Sequence, residues 1–441
     1  MKRLLLSFSA VLFTVSVFAG NLLVKEYGVN GTYSTIQNAI NAAQDGDTII
    51  VFNKPSGQYW LEDLVISKEV FLENSDANQR FNQLDGNIEI QPQDGKKMFF
   101  HGIDLMGGHK IYSNGGASDP SNRCEINIMD CNMGEAEFAD NNLHMRILDS
   151  DISTVSFRYG IMAGCVGINL TVTKGDAASA IDSLVIVGNK NYSGTIDTYC
   201  SLRILNNRFY NYGLGTVNYS SCGCNSDCSS NTYATILTIN DANVGSQFKN
   251  IIANNTFWIR GAVLSTSIST GSHYSCYNRT HYTYNNATAL SVRYRENFYI
   301  YNNVVDVNGD NNSGLQMKSF ENNGGSGTPF VSHNYIESGV NNISIPTNNE
   351  FNGQSVSLST DGNGKASGAP VDGGIYLGQY NDIDLTRNDA GTYGGPYSID
   401  NYHGIMANPS GGKSSVHFIE IPHFLTQPGT IELKGGSHTK E

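Results

Sequence analysis

A short pattern returns at a fixed interval in the middle of the chain and limits the folds open to it. Each copy has a few strand-favouring residues, an Asn, one further residue and then an aromatic or β-branched residue. Successive copies are separated by 24, 24 and 48 residues, and their Asn residues are Asn207, Asn231, Asn255 and Asn303. A repeat of about 20 to 50 residues is typical of a solenoid.

The repeat predicts a stack of strand-turn coils, because the unit is too short for two helices and favours strands. Stacking would place each Asn above the previous one, so that its amide donates to one neighbour and accepts from the other. Asn also tolerates the left-handed backbone of a sharp corner. We therefore expect the four Asn to form a structural ladder. The alternative is an Asn-rich surface loop repeated by chance.

Composition agrees with one extended β domain. Of the 441 residues, 15% are charged, 47 are Gly and only 10 are Pro. A globular chain of this length would form two or three domains, but a solenoid grows by adding repeats to one domain. The net charge of −13 argues against nucleic acid as a partner, and against acidic polymers unless a cation bridges them.

The first 19 residues have the parts of a secretory signal peptide. Lys2 and Arg3 form a basic start, an apolar run follows, and Ala19 ends a small-residue cleavage site. No later segment is apolar enough to span a membrane. We expect an exported protein, secreted or held at the cell surface.

Eight Cys in an exported chain predict disulfides. Four lie in residues 124–200 and four in residues 222–276, so pairing is expected within each group, with the connectivity left open. Metal binding is the alternative for the second group, although its spacing is not that of paired C-x-x-C units. The Cys are Cys124, Cys131, Cys165, Cys200, Cys222, Cys224, Cys228 and Cys276.

A short amphipathic helix is predicted near the start of the mature chain. Ser34 and Gln37 have the spacing of a capping box, and the residues after them form one apolar stripe. At the start of a solenoid such a helix would cover the exposed end of the core. The stripe consists of Ile36, Ala39, Ile40 and Ala43.

Residues 33–51 read Tyr-x-Thr-Ile-Gln-x-Ala-Ile-x-x-Ala-x-x-Gly-Asp-Thr-Ile-x-Val. This segment resembles the N-terminal cap of pectate-lyase-like right-handed parallel β-helix proteins. The resemblance implies an all-β fold, a right-handed parallel β-helix with an N-terminal helical cap. That fold serves lyases, hydrolases, adhesins and phage fibres, so the resemblance does not fix a function.

The chain then divides into consecutive parts. The cap helix and first strand are expected in residues 20–60 and the coils in residues 61–350, with strands such as Ile88-Glu89-Ile90. The last coils and an Asp/Gly-rich closing segment fill residues 351–396. Alternating segments in residues 397–441 predict a β-hairpin that covers the C-terminal end.

The closing segment, residues 380–396, resembles the Asp-x-Asp-Gly-Ser/Thr-Arg-x-Asp-x-Gly-Ala-Tyr-Gly-Gly-Pro segment of many bacterial secreted β-helices, with Leu385 and Thr392 as departures. Its oxygens could bind Ca²⁺, the one cofactor that the sequence suggests. The alternative is a turn in which the Asp side chains cap backbone amides and Arg387 pairs with an acid. The candidate ligands are Asp382, Asp384, Thr386 and Asp389.

Two long loops, residues 210–231 and 265–286, are candidate binding sites, because loops on a rigid scaffold often carry function. The second is rich in Tyr and His, and flat aromatic rings with polar rims suit sugar rings. The alternative is that these Tyr fill strand positions. The predicted carbohydrate-binding residues are Trp258, His273, Tyr274, Tyr277, His281, Tyr282 and Tyr284.

Catalytic signatures are incomplete. The family's lyases need a base and a cation, and its hydrolases need carboxylates that face one groove. Arg293 and Arg295 share a strand face and could clamp a carboxylate, with Lys318 and Glu321 on a later coil. The alternative is a solvated outer face with ordinary surface pairing.

Three functions follow from these features. The first is a secreted or cell-surface protein that binds a polysaccharide or cell-surface glycan, or adheres through it. The second is a polysaccharide lyase that acts on uronate polymers by β-elimination, with Arg293, Arg295 or Lys318 as base and Ca²⁺ as cofactor. The third is a structural component of an envelope or filament.

Overall fold

The strands of this chain are short, and most pair in parallel with a strand one coil away. The coordinates are a computed structural model. It describes residues 19–28, 31–55, 58–75, 82–115, 119, 121–138, 143–174, 183–210, 229–242, 249–259, 263–268, 279–293, 297–307, 317–322, 324–325, 327–336, 351–352, 357–358, 365–376, 381–382, 386–403, 414–420 and 434–439. The predicted signal peptide therefore lies outside the described residues, apart from Ala19.

The elements are numbered in chain order. The first half contains β1 (Asn21–Val24), β2 (Thr32–Tyr33), α1 (Ile36–Ala42), β3 (Asp47–Val51), β4 (Leu64–Ile66), β5 (Val70–Asn74), β6 (Asn82–Leu84), β7 (Ile88–Ile90), β8 (Lys97–His101), β9 (Ile103–Leu105), β10 (Lys110–Ser113), β11 (Cys124–Met129), β12 (Asn132–Glu137), β13 (Leu143–Leu148), β14 (Asp151–Phe157), β15 (Gly160–Ala163), β16 (Asn169–Val172), β17 (Ser183–Val187), β18 (Ser193–Thr198), β19 (Ser201–Leu205) and β20 (Arg208–Tyr210). The second half contains β21 (Ser229–Ala242), β22 (Asn250–Ala253), β23 (Thr256–Ile259), β24 (Val263–Ile268), β25 (Arg279–Val292), β26 (Phe298–Tyr301), β27 (Val304–Val307), β28 (Met317–Asn322), β29 (Phe330–Ser332), β30 (Asn334–Ile336), β31 (Phe351–Asn352), β32 (Ser357–Leu358), β33 (Ala366–Ser367), α2 (Ile399–His403), β34 (Ser414–Glu420) and β35 (Lys434–Thr439).

Three sheets run along the stack. The first is entirely parallel, in the order β2-β1-β3-β5-β8-β11-β13-β15-β17-β19-β22-β26-β29. The second has the order β24-β25-β21-β18-β16-β14-β12-β10-β7-β4, and within it only β24 pairs antiparallel. The third has the order β20-β23-β27-β30-β31. The fold is an all-β parallel β-helix, as the sequence predicted.

One apolar core runs through the coils. Strands such as β3 and β5 alternate buried and partly exposed residues, since successive side chains of a strand point to opposite faces. The inward residues join into a single cluster that extends from Val24 to Ile336. Outward residues of neighbouring strands are therefore also in line, which is what positions the candidate site.

At one corner of the coil a left-handed residue is followed by a buried polar residue. Asn206, Asn254 and Asn302 have φ values of 54°, 56° and 55°. The next residue, and not the left-handed one, carries the ladder: the Nδ2 of Asn207 donates to Oδ1 of Asn255 at 3.0 Å, and Asn255 donates to Asn303 at 3.0 Å. The expectation that the ladder Asn itself turns the corner is wrong.

The ladder has different members from those predicted. It continues to Asn189 before Asn207 and to Asn334 after Asn303. Asn231 is not a step between Asn207 and Asn255, which bond directly, but lies in β21 opposite Tyr284 of β25. The coil from Asn207 to Asn255 thus spans 48 residues and includes the 14-residue strand β21, so the repeat of 24 residues is half of one coil.

Buried thiols extend the same column toward the N-terminus. The Sγ of Cys131 donates to the carbonyl of Met129 at 3.2 Å and that of Cys165 to Ala163 at 3.4 Å. Asn207 and Asn255 donate in the same way to the carbonyl two residues earlier. A thiol therefore replaces the amide at the corner.

The disulfide prediction is wrong for the first Cys group. Cys124, Cys131, Cys165 and Cys200 form no disulfide, and all four are buried. Burial raises the pKa of the Cys124 thiol to about 11 and that of Cys131 to about 12, so both stay protonated at neutral pH. Cys222, Cys224, Cys228 and Cys276 lie outside the described residues.

The predicted amphipathic helix is α1. Its N-cap is Thr35, whose side chain accepts from the backbone of Asn38, so the predicted capping box from Ser34 is shifted by one residue. The apolar stripe is buried in the main core, with Ile36, Ala39 and Ile40 at most 3% exposed. That the helix covers the end of the stack stays a prediction.

A long segment near the C-terminus lies along the side of the solenoid. We call its described residues, 365–376, 381–382 and 386–403, the strap. The Nδ2 of Asn206 donates to the carbonyl of Thr392 at 3.1 Å, and the backbone of Gly391 donates to Asn302 at 2.7 Å. Left-handed corner residues of the coils thus bind the strap backbone.

The strap also covers an apolar stripe on the outside of the first sheet. This stripe and the strap residue Tyr402 belong to one buried cluster, against which the strap residues Ile375 and Tyr397 pack. That residues 380–396 are the closing segment of the stack stays a prediction. The stripe consists of Met129, Leu148, Ala163, Val187, Leu205, Ala253 and Tyr301.

The last strands, β34 and β35, form an antiparallel pair. A hairpin was predicted in this part of the chain, from residues 416–422 and 429–434. The described part of the second strand is Lys434–Thr439, and the rest of its predicted segment lies outside the described residues.

Candidate functional site

The outward side of the second sheet carries a line of polar side chains in register. Glu89 lies opposite Tyr112, and Tyr112 lies opposite Glu137. The line continues strand by strand through hydroxyl side chains, because the pairing of β12, β14, β16, β18 and β21 keeps the register. These hydroxyl residues are Ser156, Thr171, Thr195 and Thr238.

A second line runs parallel to the first, two residues earlier in each strand. It consists of Lys110, Glu135, Thr154, Asn169 and Ser193. All residues of both lines are partly or fully exposed. Neighbouring strands lie about 4.8 Å apart, so the two lines form a regular grid. We call these two lines the polar face.

At one end of the polar face, Glu89 gathers three donors. Its carboxylate accepts from Asn114 Nδ2 at 2.8 Å, from Gln91 Nε2 at 3.1 Å and from the hydroxyl of Tyr112 at 3.1 Å. These hydrogen bonds, that from Asn114 above all, hold the pKa of Glu89 below its usual value. Glu89 is therefore a carboxylate at neutral pH.

The neighbouring groups keep ordinary charge states. Lys110 Nζ donates to Glu137 at 2.6 Å and lies 5.0 Å from the ring centre of Tyr112. The bond to Glu137 raises the pKa of Lys110. Partial burial, followed by the bond to Glu89, raises the pKa of Tyr112. None of Glu89, Lys110 and Tyr112 is thus shifted toward neutrality, as a general acid or base would be. The array suits hydrogen bonding to a ligand.

Trp258 was predicted to form an exposed aromatic platform, and this is wrong. The side chain is only 7% exposed, and its ring meets that of Tyr210 edge-on at 5.5 Å between centres. It packs with Val304, Tyr335 and the strap residue Ala390. Trp258 points outward from the third sheet, but the strap covers it.

The Tyr-rich segment is not a simple loop. His281, Tyr282 and Tyr284 belong to β25, which pairs antiparallel with β24 and parallel with β21. For these three residues the structure describes the strand but not the side chain. His273, Tyr274 and Tyr277 lie outside the described residues.

The catalytic candidates fall around the end of the second sheet. Arg293 is exposed just after β25, and its backbone donates to Ile239 at 3.1 Å. Lys318 and Glu321 lie in β28, where Glu321 is opposite Ser291 of β25. Arg295 lies outside the described residues. Arg293 and Glu321 therefore come from neighbouring coils. The described contacts of these residues do not bring an acid and a base together.

The oxygens proposed for Ca²⁺ are partly used by the strap itself. The Asp382 carboxylate accepts the backbone N–H groups of Asp389 and Gly395, and the Thr386 carbonyl accepts that of Asp382. Asp389 accepts from the backbone of Asp372 at 2.7 Å. Asp384 lies outside the described residues. These contacts are those of the amide-capped turn that was the alternative to Ca²⁺.

Arg387 makes no ion pair with an acid among the described residues of this turn. Its guanidinium donates to the carbonyls of Gly374 and Gly373 and stacks on the ring of Tyr376 at 3.7 Å. Within the described residues, no group of three or more His, Cys, Asp or Glu is placed to hold a metal ion.

No helix in the described part of the chain is both long and apolar enough to cross a membrane.

Sequence reasoning missed the polar face. The signal was present in each strand: Ile88-Glu89-Ile90 alternates, and so do Lys110-Ile111-Tyr112 and Glu135-Ala136-Glu137. Alternation predicts that these polar residues point outward. It does not say which strands are neighbours, because coil lengths vary.

Comparisons with protein-family models, curated proteins and solved structures found no match to this chain.

Proposed function

We propose that this protein is an exported parallel β-helix that binds a polysaccharide or cell-surface glycan along its polar face. The observation that carries the proposal is the grid of hydroxyl, amide and carboxylate groups, in register across β7, β10, β12, β14, β16 and β18. A polysaccharide is a repeating chain of hydroxyl groups, so a repeating row of donors and acceptors complements it.

The chemistry of the grid also supports binding over cleavage. Ser and Thr hydroxyls both donate and accept, and a carboxylate such as Glu89 is a strong acceptor for sugar hydroxyls. Tyr112 adds an aromatic surface beside them. The row is built on paired strands, so little side-chain order has to be gained on binding. The resemblance of residues 33–51 to pectate-lyase-like proteins agrees with a carbohydrate ligand, and residues 1–19 with export.

The test is a pull-down of the mature protein with a panel of insoluble and immobilised polysaccharides, neutral and uronate-containing. Thr171→Arg places a long charged side chain in the middle of the polar face, where Thr171 is exposed. Thr48→Arg is the matched control, since Thr48 lies outward on the first sheet, opposite Phe71. We expect Thr171→Arg to weaken binding at least about tenfold, or about 1.4 kcal/mol.

Thr48→Arg is expected to bind like the natural protein. Equal binding by both variants would contradict the polar face as the site. Failure of the natural protein to bind any member of the panel would contradict the function itself.

A further inference from the structure

The end of the strap meets the solenoid at a cluster of basic groups. The backbones of Lys190 and Arg208 pair in an isolated parallel β-bridge between adjacent coils. Their side chains therefore start from neighbouring positions on the same side of the solenoid. Arg208 is only 8% exposed and donates to Asn191 Oδ1 at 2.8 Å. We call the contact between the end of the strap and the solenoid the seam. The chain has a net charge of −13, so two neighbouring cations at the seam differ from the charge of the molecule as a whole.

His403, the last residue of α2, adds a third basic group to the seam. Its Nε2 lies 2.8 Å from the carbonyl oxygen of Gly188, a partner 215 residues earlier in the chain. A carbonyl only accepts, so Nε2 carries a hydrogen and the ring needs no second proton to make this bond. Next to it, Tyr402 is 3% exposed and packs over Gly188 and Gly164.

The charges around this contact come from both sides of the seam. The solenoid contributes Lys190 and Arg208, with Asp149 near Tyr402, and the strap contributes Asp400 and Tyr397. Asp400 is exposed, and Lys190 makes no ion pair with a carboxylate of the described residues. A proton on His403 would therefore place a third positive charge in a half-buried site with little compensation.

We propose that the α2 end of the strap is an acid-sensitive latch, docked at neutral pH and detached when His403 takes up a proton. Detachment would uncover the apolar stripe beneath Tyr402, including Ala163 and Val187. The inference does not depend on the ligand of the polar face.

The sign and size of the effect follow from the His403 environment. Burial, then the charges of Lys190 and Arg208, lower the pKa of His403 from 6.5 to about 4 in the docked state. Docking is thus fully favoured above pH 6.5 and weakens as the pH falls toward 4, because the detached ring binds the proton more tightly. With these two pKa values the docking constant is expected to fall about 80-fold from pH 6.5 to pH 4, and it approaches a limit of about 300-fold only below pH 4.

Hydrogen exchange of the full chain, corrected for the intrinsic pH dependence, measures this directly. The reporters are backbone amides such as Ile399, which donates to Thr392, and Asn401, which donates to Ser398. Their protection is expected to fall about 100-fold from pH 7 to pH 4. Strand β5, which has no residue in the apolar stripe, serves as the internal control and should keep its protection.

Two variants separate His403 from the acids of the strap, such as Asp382 and Asp389. His403→Gln keeps a donor for the Gly188 carbonyl but does not titrate, so its α2 protection should be independent of pH in this range. Lys190→Met removes a neighbouring charge, which brings the docked pKa of His403 closer to 6.5 and shrinks the loss.

Three results would overturn the latch. These are an equal loss of protection in His403→Gln and in the natural protein, a loss in β5 together with α2, or constant α2 protection in the natural protein. If His403→Gln fails to dock even at pH 7, Lys190→Met decides the question, and a loss as large as in the natural protein would refute the proposal.

Discussion

Each ladder residue satisfies several backbone groups that lie far from water. The amide of Asn255 donates to the carbonyls of Ile204 and Ala253 and to Asn303, at 2.9 to 3.0 Å. Its Oδ1 accepts both the backbone and the side chain of Asn207. Because Asn255 is fully buried, no water can replace these bonds.

We predict that Asn255→Ala lowers the free energy of unfolding by about 3 kcal/mol, since buried donors and acceptors lose their partners. Asn255→Cys should cost less, because Cys131 and Cys165 fill equivalent positions with a thiol that donates to the same kind of carbonyl. Asn169→Ala, at an exposed position of β16, is the control and should change little. Urea denaturation of the three variants checks the order, and similar losses for Asn255→Ala and Asn169→Ala would contradict the ladder.

At the scale of elements, the strap and the corner depend on each other. The left-handed corner residues are mostly Asn or Asp, but Gly occupies the position at residues 164 and 188, with φ values of 68° and 64°. A Cβ on Gly188 would lie 2.2 Å from the ring of Tyr402. Gly188 is therefore required both by the backbone and by the docking of α2.

We predict that Gly188→Ala destabilises the protein by more than the left-handed strain alone. Gly107 is the matched control, with a φ of 61° and open space around its Cβ position, so Gly107→Ala reports only the strain, about 1 kcal/mol. Gly188→Ala should cost about 1–3 kcal/mol more through overpacking, and should lower the exchange protection of α2. Equal unfolding free energies for the two variants would show that Tyr402 does not rest on Gly188.

The sequence predicted elements better than it predicted their neighbours. Periodicity identified α1 and alternation identified strands such as β7, because both patterns are local. Asn231 was wrongly assigned to the ladder because the coil from Asn207 to Asn255 spans 48 residues, and Asn231, in β21, lies halfway along it. Trp258 was wrongly predicted to be exposed because Ala390, the strap residue that packs on it, is far away in the sequence. Cys131 shows a further limit, since a thiol and an amide fill the same corner position.

At the scale of the whole molecule, the stacking of coils turns separate strands into one surface. Glu89, Tyr112 and Glu137 come from three strands and have no shared motif in the sequence. The same stacking gives the strap a continuous flank of left-handed corners to bind. The polar face could be predicted from sequence only once the strand register was known.

The central claim, that outward residues of successive strands stand in one row, is tested most directly by distances along that row. Spin labels are placed at Glu89→Cys and at one of three other positions, Thr171→Cys, Thr195→Cys or Thr238→Cys. Cys222, Cys224, Cys228 and Cys276 are replaced by Ser, while the buried thiols stay in place.

These partners lie four, five and six strands from β7 in the second sheet. With a strand spacing of about 4.8 Å, pulsed electron paramagnetic resonance should give backbone separations of about 19, 24 and 29 Å, rising evenly. Distances that do not increase by about 5 Å per strand would contradict the stacked row, and with it the polar face.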